Sequence, residues 1–289
     1  MNASTSHTPI ISIANPKGRS GKSTTVVNLA VELGRAGEAV LVVDLDPQAM
    51  SSAHLGLKHP SEQRAGVHTL LMSSLESAPG CVQAKTRFQG VSLISSGLEL
   101  ERMEDELRAS SLRPLEELSF KLSALASAYD MVLIDTPPSL RFLTSAALVA
   151  SKHLIVPVEA SDAYALHGLS GLTALVEQVR RVNPSLSVLG GLLTRYDKRQ
   201  TVCKLIEGAA GAQLGALLPV QVASSCKVQE SFDLRLSVNE HDRTCKVARA
   251  YVELAAHLAQ ALIPSSLKST PALLSAPSKA ELSAQEALF

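Results

Sequence analysis

Short apolar runs rich in β-branched residues recur along the chain, most of them followed by a stretch of helical period. The runs are IISIAN (10–15), AVLVVDLD (39–46), VSLIS (91–95), MVLIDTP (131–137), HLIVPVEA (153–160), SVLGGLLTRYD (187–197) and ALLPVQV (216–222). None shows a polar alternation, so both faces of each strand are expected to be covered, as in a parallel sheet between helices. Helices are predicted over 22–37, stopping at Gly34 or Gly37, and over 140–151, 165–184 and 243–262. The third of these closes on Arg180, Arg181 and Pro184, a basic last turn followed by a breaker. Strand–helix alternation of this kind predicts an α/β fold with a doubly wound, mostly parallel sheet and helices on both faces. Residues 47–90 scatter Ser, Gly, His and Pro and read as loops and short helices at the sheet edge. Residues 1–8 read as a flexible N-terminus, 9–263 as the folded domain and 264–289, rich in Ser, Ala, Pro and Leu, as a flexible tail. No internal repeat is visible.

Composition narrows the picture. Of the 289 residues 46% are apolar but only 3% are aromatic and none is Trp, so the core must be large and aliphatic. The formal net charge of zero excludes a uniformly basic chain that coats nucleic acid, while leaving room for a local basic patch. Cys81, Cys203, Cys226 and Cys245 form no C-x-x-C pair and no zinc-ligand spacing, so they are expected to be reduced, structural thiols. No N-terminal stretch has the form of a signal peptide, and no apolar run nears the roughly 20 residues a membrane span needs. A cytoplasmic location is expected.

The chemistry concentrates at ANPKGRSGKSTT (14–25), between the first strand and the first helix. A loop ending Gly21-Lys22-Ser23 at such a junction points backbone N–H groups and a helix N-terminus at phosphates. Lys22 places a charge on the β and γ phosphates, Ser23 offers a hydroxyl to Mg²⁺, and Thr24 is placed to reach the α phosphate. Two further strands end in VVDLDPQ and VLIDTPP, with Asp at the carboxyl end where open α/β sheets bind ligands. Asp135 is positioned for the Mg²⁺ shell. Of Asp44 and Asp46, one is suited to support the metal and the other to orient an attacking water.

With these residues in place the sequence resembles the ParA/MinD family of deviant Walker-A P-loop NTPases, and within it the ParA (Soj-like) partition branch. The family loop, Lys-Gly-Gly-x-Gly-Lys-Ser/Thr, stands here as Lys17-Gly18-Arg19-Ser20-Gly21-Lys22-Ser23. DLDPQ (44–48) and DTPPSL (135–140) resemble the two switches, and PVEASDAYALHGLSGL, GGLLTRYDKR and DRTCKVARAYVELA also match, so the likeness runs from about 10 to 262. The resemblance implies an ATPase using ATP and Mg²⁺, with Gly18 to Thr24 binding the nucleotide. It also implies that Lys17 crosses to the partner's nucleotide in an ATP-bound homodimer, that Asp46 positions the hydrolytic water, and that Asp44 and Asp135 support the metal. Hydrolysis is expected to be slow until a partner completes the site. The branch further implies non-specific binding to nucleoid DNA, with Arg199 and Lys227 on its contacting positions, and a ParB-like or other cargo-adaptor partner. The cargo is a plasmid, a chromosome or a protein assembly.

Three features depart from that pattern or compete with it. Arg19 stands where the family has its second glycine; it either strains the loop and crowds a facing subunit, or adds a cation over the phosphates. The C-terminal region carries Glu230-Ser231 and Arg235-Leu236 where Glu-Ala and Gly-Lys are usual. The alternative is a MinD-like membrane-associated positioning ATPase, which calls for a basic amphipathic C-terminal helix; the actual end, SKAELSAQEALF, lacks one. A cluster-bearing reductase is set aside because Cys81 and Cys203 offer no ligating pair.

Overall fold

The computed structural model of the chain describes residues 8–62 and 65–263. The N-terminal segment to residue 7 and the 264–289 tail lie outside the described residues. Seven strands form one sheet: β1 (Ile10–Ile13), β2 (Val40–Asp44), β3 (Val91–Ile94), β4 (Met131–Asp135), β5 (His153–Glu159), β6 (Ser187–Tyr196) and β7 (Leu217–Ala223). Their order is β3-β2-β4-β1-β5-β6-β7 and every pairing between them is parallel. Each predicted apolar run therefore supplies one strand, and the expected α/β, doubly wound architecture is what the chain forms.

Eleven helices accompany the sheet among the described residues: α1 (Lys22–Arg35), α2 (Met50–Leu55), α3 (Val67–Met72), α4 (Met103–Ser110), α5 (Glu117–Leu125), α6 (Phe142–Ala150), α7 (Leu169–Val179), α8 (Thr201–Leu214), α9 (Lys227–Asp233), α10 (Val238–His241) and α11 (Lys246–Leu262). Strand alternation divides the core. Ile11, Ile13, Val40, Val42 and Leu133 join α1 and α11 in one cluster. Leu41, Val43, Val132 and Ile134 join α3, α5 and α6 in another on the opposite face, and Leu154, Val156 and Val158 continue it beneath α7 and α8. The large aromatic at the centre is Tyr251 of α11, fully enclosed with its hydroxyl 3.3 Å from Thr25 Oγ1 on α1.

Two findings differ from the sequence reading. The sequence reading places no helix at α4, α5, α8, α9 or α10. The buried stripe of α8 is Cys203, Ile206, Ala210 and Leu214, a helical period written mostly in small residues and interrupted by Gly208 and Gly211. At the other end of the domain Thr8 is buried, donating its hydroxyl to the carbonyls of Ala126 (2.9 Å) and Tyr129 (3.0 Å).

One close approach fixes α1 against the sheet edge. Gly90 takes φ +76° and a Cβ on it would lie 2.8 Å from the Gly34 Cα, while a Cβ on Gly34 would run into the Gln89 carbonyl. Gly34→Ala is therefore expected to lower stability by about 1–3 kcal/mol, the usual cost of overpacking. Urea unfolding at neutral pH measures it, and an unchanged midpoint would show that the close approach yields.

Candidate nucleotide site

The loop from Ala14 to Gly21 is held at both ends by side chains. Asn15 donates through Nδ2 to the Pro157 carbonyl (2.7 Å) and accepts the Lys17 N–H at Oδ1 (2.8 Å). Thr194, at the end of β6, donates to the Ser20 carbonyl (2.9 Å) and packs against Gly21, whose φ of +96° suits glycine. Lys22 opens α1, is nearly buried, and donates to the Lys17 carbonyl (3.1 Å). Burial lowers the Lys22 pKa, while the carboxylates of Asp135 and Asp46 oppose that shift.

A cavity of about 1030 Å³ opens over this loop. Gly18, Arg19, Gly21, Lys22, Ser23 and Thr24 line it, as do Asp46 and Gln48, and Val222, Phe232 and Tyr251 supply an apolar wall. It combines a cationic, N–H-rich end with an apolar end, the form a phosphorylated, planar-ringed ligand requires. Of the expected loop residues, Ser20 differs: it is fully buried and its hydroxyl has no partner. Arg19 sits at φ +62°, exposed, in the left-handed region that glycine enters freely.

Beneath the cavity lie the carboxylates. Asp44 and Asp135 end adjacent parallel strands in register and are both fully buried. Burial, and for Asp44 the neighbouring Asp135, raises both: Asp44 well above the carboxylate range and Asp135 to about 6. Both oxygens of Asp44 are occupied within the protein, Oδ1 by the Asp46 N–H (3.1 Å) and Oδ2 by the Ser52 N–H (2.8 Å) and hydroxyl (2.6 Å). These bonds, from the Asp46 N–H and from Ser52 of α2, fix the carboxylate expected to support the metal. Asp135 accepts from the Ser51 hydroxyl at Oδ2 (2.6 Å), whereas its Oδ1 is buried without a partner. That orphaned oxygen, with the Ser23 hydroxyl close enough to influence Asp135, fits a hard cation. Among the described residues no group of three or more His, Cys, Asp or Glu forms a closed cage, which suits Mg²⁺, an ion that keeps waters and phosphate oxygens in its shell.

Lys17 takes a different direction from Lys22. Its ammonium bonds Asp162 and lies 3.2 Å from Glu159 Oε2. Glu159 closes β5 and is nearly buried, and its other oxygen accepts from Arg195 Nη1 at 2.7 Å.

A family model described as an AAA domain matches residues 8–188. The chromosome partitioning protein ParA of Caulobacter vibrioides is 33% identical over 250 residues, covering 85% of this chain and 92% of that protein. The chromosome-partitioning ATPase Soj of Thermus thermophilus is 36% identical over 247 residues, covering 85% and 93%. The chain belongs to the ParA/MinD family of P-loop ATPases. Among solved structures, cobyrinic acid a,c-diamide synthase from Mycobacterium smegmatis, with a bound ATP analogue and magnesium, superposes with a TM-score of 0.75 at 28% identity, covering 88% of this chain and 95% of that one. The septum site-determining protein MinD from Pyrococcus horikoshii, complexed with Mg-ADP, shares the fold (TM-score 0.70, 24% identity, covering 87% and 96%).

In this ParA-family chain the two expected DNA-binding cations follow the carboxyl ends of the neighbouring strands β6 and β7, Lys227 between the cavity-lining residues Cys226 and Val228. Arg199 forks onto Asp197 (3.0 and 2.8 Å). Lys227 pairs with Glu230 (2.7 Å), which also accepts from His241 (2.8 Å). Arg199 is solvent-exposed and Lys227 half-buried, and ion pairs so open to solvent are screened and weak. All four cysteines are free, and Cys81 and Cys203 are buried. No helix among the described residues is long and apolar enough to cross a membrane.

Several site residues are not apparent from the sequence. Ser51 and Ser52 hold the carboxylates, Ser96 donates to the Asp46 carbonyl (2.6 Å), and Glu159 and Asp162 hold Lys17. Serine has no distinguishing pattern in a chain this rich in it. Glu159 and Asp162 lie inside a motif whose likeness is carried by the whole block, so neither charge stands out on its own. His54 is the other omission. Two residues beyond Ser52, it packs between Phe88 (centroids 6.0 Å) and Phe232 (4.4 Å), and its Nε2 faces the Leu236 carbonyl at 3.1 Å.

Burial holds the His54 pKa down at about 4 against an ordinary 6.5, with Arg87 and Arg235 adding to the effect. Between those values the unfolded chain binds a proton that the folded chain refuses, so stability is full above about pH 6.5 and falls toward pH 4. His54→Phe cannot titrate and is expected to remove a loss on the order of 3 kcal/mol across that window. The raised carboxyl of Asp135 acts with opposite sign but is common to both proteins, so the difference isolates His54. Urea titrations at pH 7 and 4.5 give it; equal slopes in parent and variant would clear His54.

Proposed function

We propose that this chain is a ParA-type positioning ATPase, switched between monomer and homodimer by ATP, that binds DNA without sequence preference while dimeric. The observation that carries the proposal is the divergence of the two lysines: Lys22 lies in the phosphate cradle, and Lys17 lies outside it, facing acids of its own subunit. One lysine serves the nucleotide of its own chain, and the other is stored for the nucleotide of a second copy.

ATP and Mg²⁺ are the cofactors. Gly18, Ser20 and Gly21 shape the cradle, Arg19 adds a cation at its mouth, and Lys22 meets the β and γ phosphates. Thr24 meets the α phosphate. Ser23 and Asp135 hold the metal, with Asp44 supporting Asp135 from the adjacent strand. Mg²⁺ in that place neutralises charge on the phosphate oxygens. Asp46 borders the cavity, its Oδ1 accepting the Gln48 N–H (3.0 Å), and leaves its second oxygen to position a water. Burial raises that carboxyl while the Gln48 N–H and Lys22 oppose the shift, and its proposed part is to orient the water. Hydrolysis is accordingly slow until an adaptor protein, ParB-like or specific to another cargo, completes the site. Arg199 and Lys227 bind DNA phosphates, and a dimer doubles those interactions. The place of action is the cytoplasm, on the nucleoid.

Lys22→Ala is expected to abolish ATP binding, and Lys17→Ala to retain it while losing the ATP-dependent dimer; light scattering with a non-hydrolysable analogue distinguishes them. A Lys17→Ala protein that dimerises like the parent would sink the assignment. Asp46→Ala should keep the dimer on DNA by slowing turnover at least ten-fold, and turnover at the parent rate would remove Asp46 from its role. Charge reversal at Arg199 and Lys227 should flatten the dependence of log affinity on log salt by about 0.9 for each DNA phosphate that is no longer neutralised. An unchanged slope in a filter-binding series would place the DNA elsewhere.

A further inference from the structure

Glu159 has two cationic partners. Lys17 approaches one oxygen at 3.2 Å and Arg195 the other at 2.7 Å. Lys17 is shared with Asp162, which is over a third exposed, whereas the Glu159 side chain is 9% exposed. The two acids therefore respond differently if Lys17 departs. Asp162 can be rehydrated where it stands. Glu159 cannot, and a buried carboxylate stripped of its partner is strongly destabilising.

We propose that Arg195 is a positioning residue for Lys17: it is the counter-ion that remains on Glu159 when Lys17 leaves for a second subunit, and so sets how readily Lys17 is released. This inference rests on the reading of Lys17 as a residue that acts across a dimer. The backbone supports it. Glu159 stands in register with Thr194 on the neighbouring strand, so a fully extended residue 195 would direct its side chain to the other face of the sheet. Arg195 instead takes φ +51°, a left-handed conformation unfavourable for any residue with a Cβ, and from it the guanidinium reaches Glu159. A strained backbone that ends in a charge-assisted bond to a nearly buried acid marks a residue whose own interaction matters.

The mechanism has three stages. Without a partner subunit, Glu159 is satisfied twice and Lys17 is held by two acids. As Lys17 swings outward, Asp162 gains water and Glu159 keeps the Arg195 bond. In the dimer the Glu159–Arg195 pair is complete in each subunit, so no buried charge is orphaned. Without Arg195, the acid would hold Lys17 as its only counter-ion and the dimer would form at the expense of an unpaired Glu159.

The test is ATP-dependent dimerisation measured by analytical ultracentrifugation at saturating non-hydrolysable nucleotide, so that changes in nucleotide affinity do not enter. Arg195→Ala should raise the dimer dissociation constant at least ten-fold, and Arg195→Lys should recover most of the loss. The decisive variant is Arg195→Ala combined with Glu159→Gln: a neutral amide needs no counter-ion, so the pair should dimerise far better than Arg195→Ala alone. Parent-like dimerisation of Arg195→Ala, or no recovery in the double variant, overturns the inference while leaving the role of Lys17 intact. Parent-like dimerisation of Lys17→Ala overturns both.

Discussion

Two carboxylates forced side by side in the interior are the constraint around which this molecule is arranged. Asp44 and Asp135 end neighbouring strands in register, with no exposure to water. Each raises the cost of ionising the other, and their surroundings answer in two ways. On one side α2 presents consecutive serines, Ser51 to Asp135 and Ser52 to Asp44, with Ser96 bracing Ser52 through its own N–H (2.8 Å). On the other side Lys22 adds a positive charge within range of Asp135. Two buried acids beneath a phosphate cradle are costly for an empty protein and well matched to a cation above them. The fold thus stores its demand for a metal in the sheet itself, and α2 keeps that demand from collapsing the site.

The same logic governs the loop above. A phosphate cradle needs backbone N–H groups close together, which requires residues in the left-handed region. Gly21 meets the requirement at no steric cost, but Arg19 meets it at roughly 1–2 kcal/mol for carrying a Cβ there. Its side chain then has no hydrogen bond or ion pair among the described residues and borders the cavity. Of the two readings open in the sequence, the backbone strain is visible in the φ of +62°. The conformation is the glycine conformation, and the residue borders the cavity.

Much of this was legible before any coordinates. The strands were legible because parallel strands buried on both faces leave unbroken apolar runs, and the cradle because GKS at a strand–helix junction has one dominant physical use; β7 departs from the expectation, for at the sheet edge it exposes Pro219 and Gln221 on one face. α8 was not, since a stripe of Cys, Ile, Ala and Leu between glycines has little amphipathic contrast. The placement of Asp44 is half legible: its position at a strand end follows from the apolar run, whereas its bonds to Ser52 and the Asp46 N–H depend on how the chain turns into α2. His54 was invisible for a related reason. Its environment is assembled from Phe88, Phe232 and Leu236, residues brought together only by packing.

The distribution of acids across the carboxyl edge of the sheet makes a final point about the switch. Every cation proposed to act on something outside its own subunit is paired at rest: Lys17 with Glu159 and Asp162, Arg199 with Asp197, Lys227 with Glu230. Lys22, proposed to act within its subunit, has no such partner and is instead enclosed. A chain of zero net charge that, on the proposed function, meets DNA in only one of its states would benefit from this arrangement. Resting pairs at the solvent surface weaken casual attachment to any anion, yet dissolve at little cost when a phosphate of higher charge density is held in place. The pair that does not dissolve cheaply is the one at Glu159, because that acid is nearly buried, and its partner Arg195 borders the cavity. Control of the proposed dimer would therefore rest on a single desolvated pairing, while the paired surface cations would be free to bind and let go.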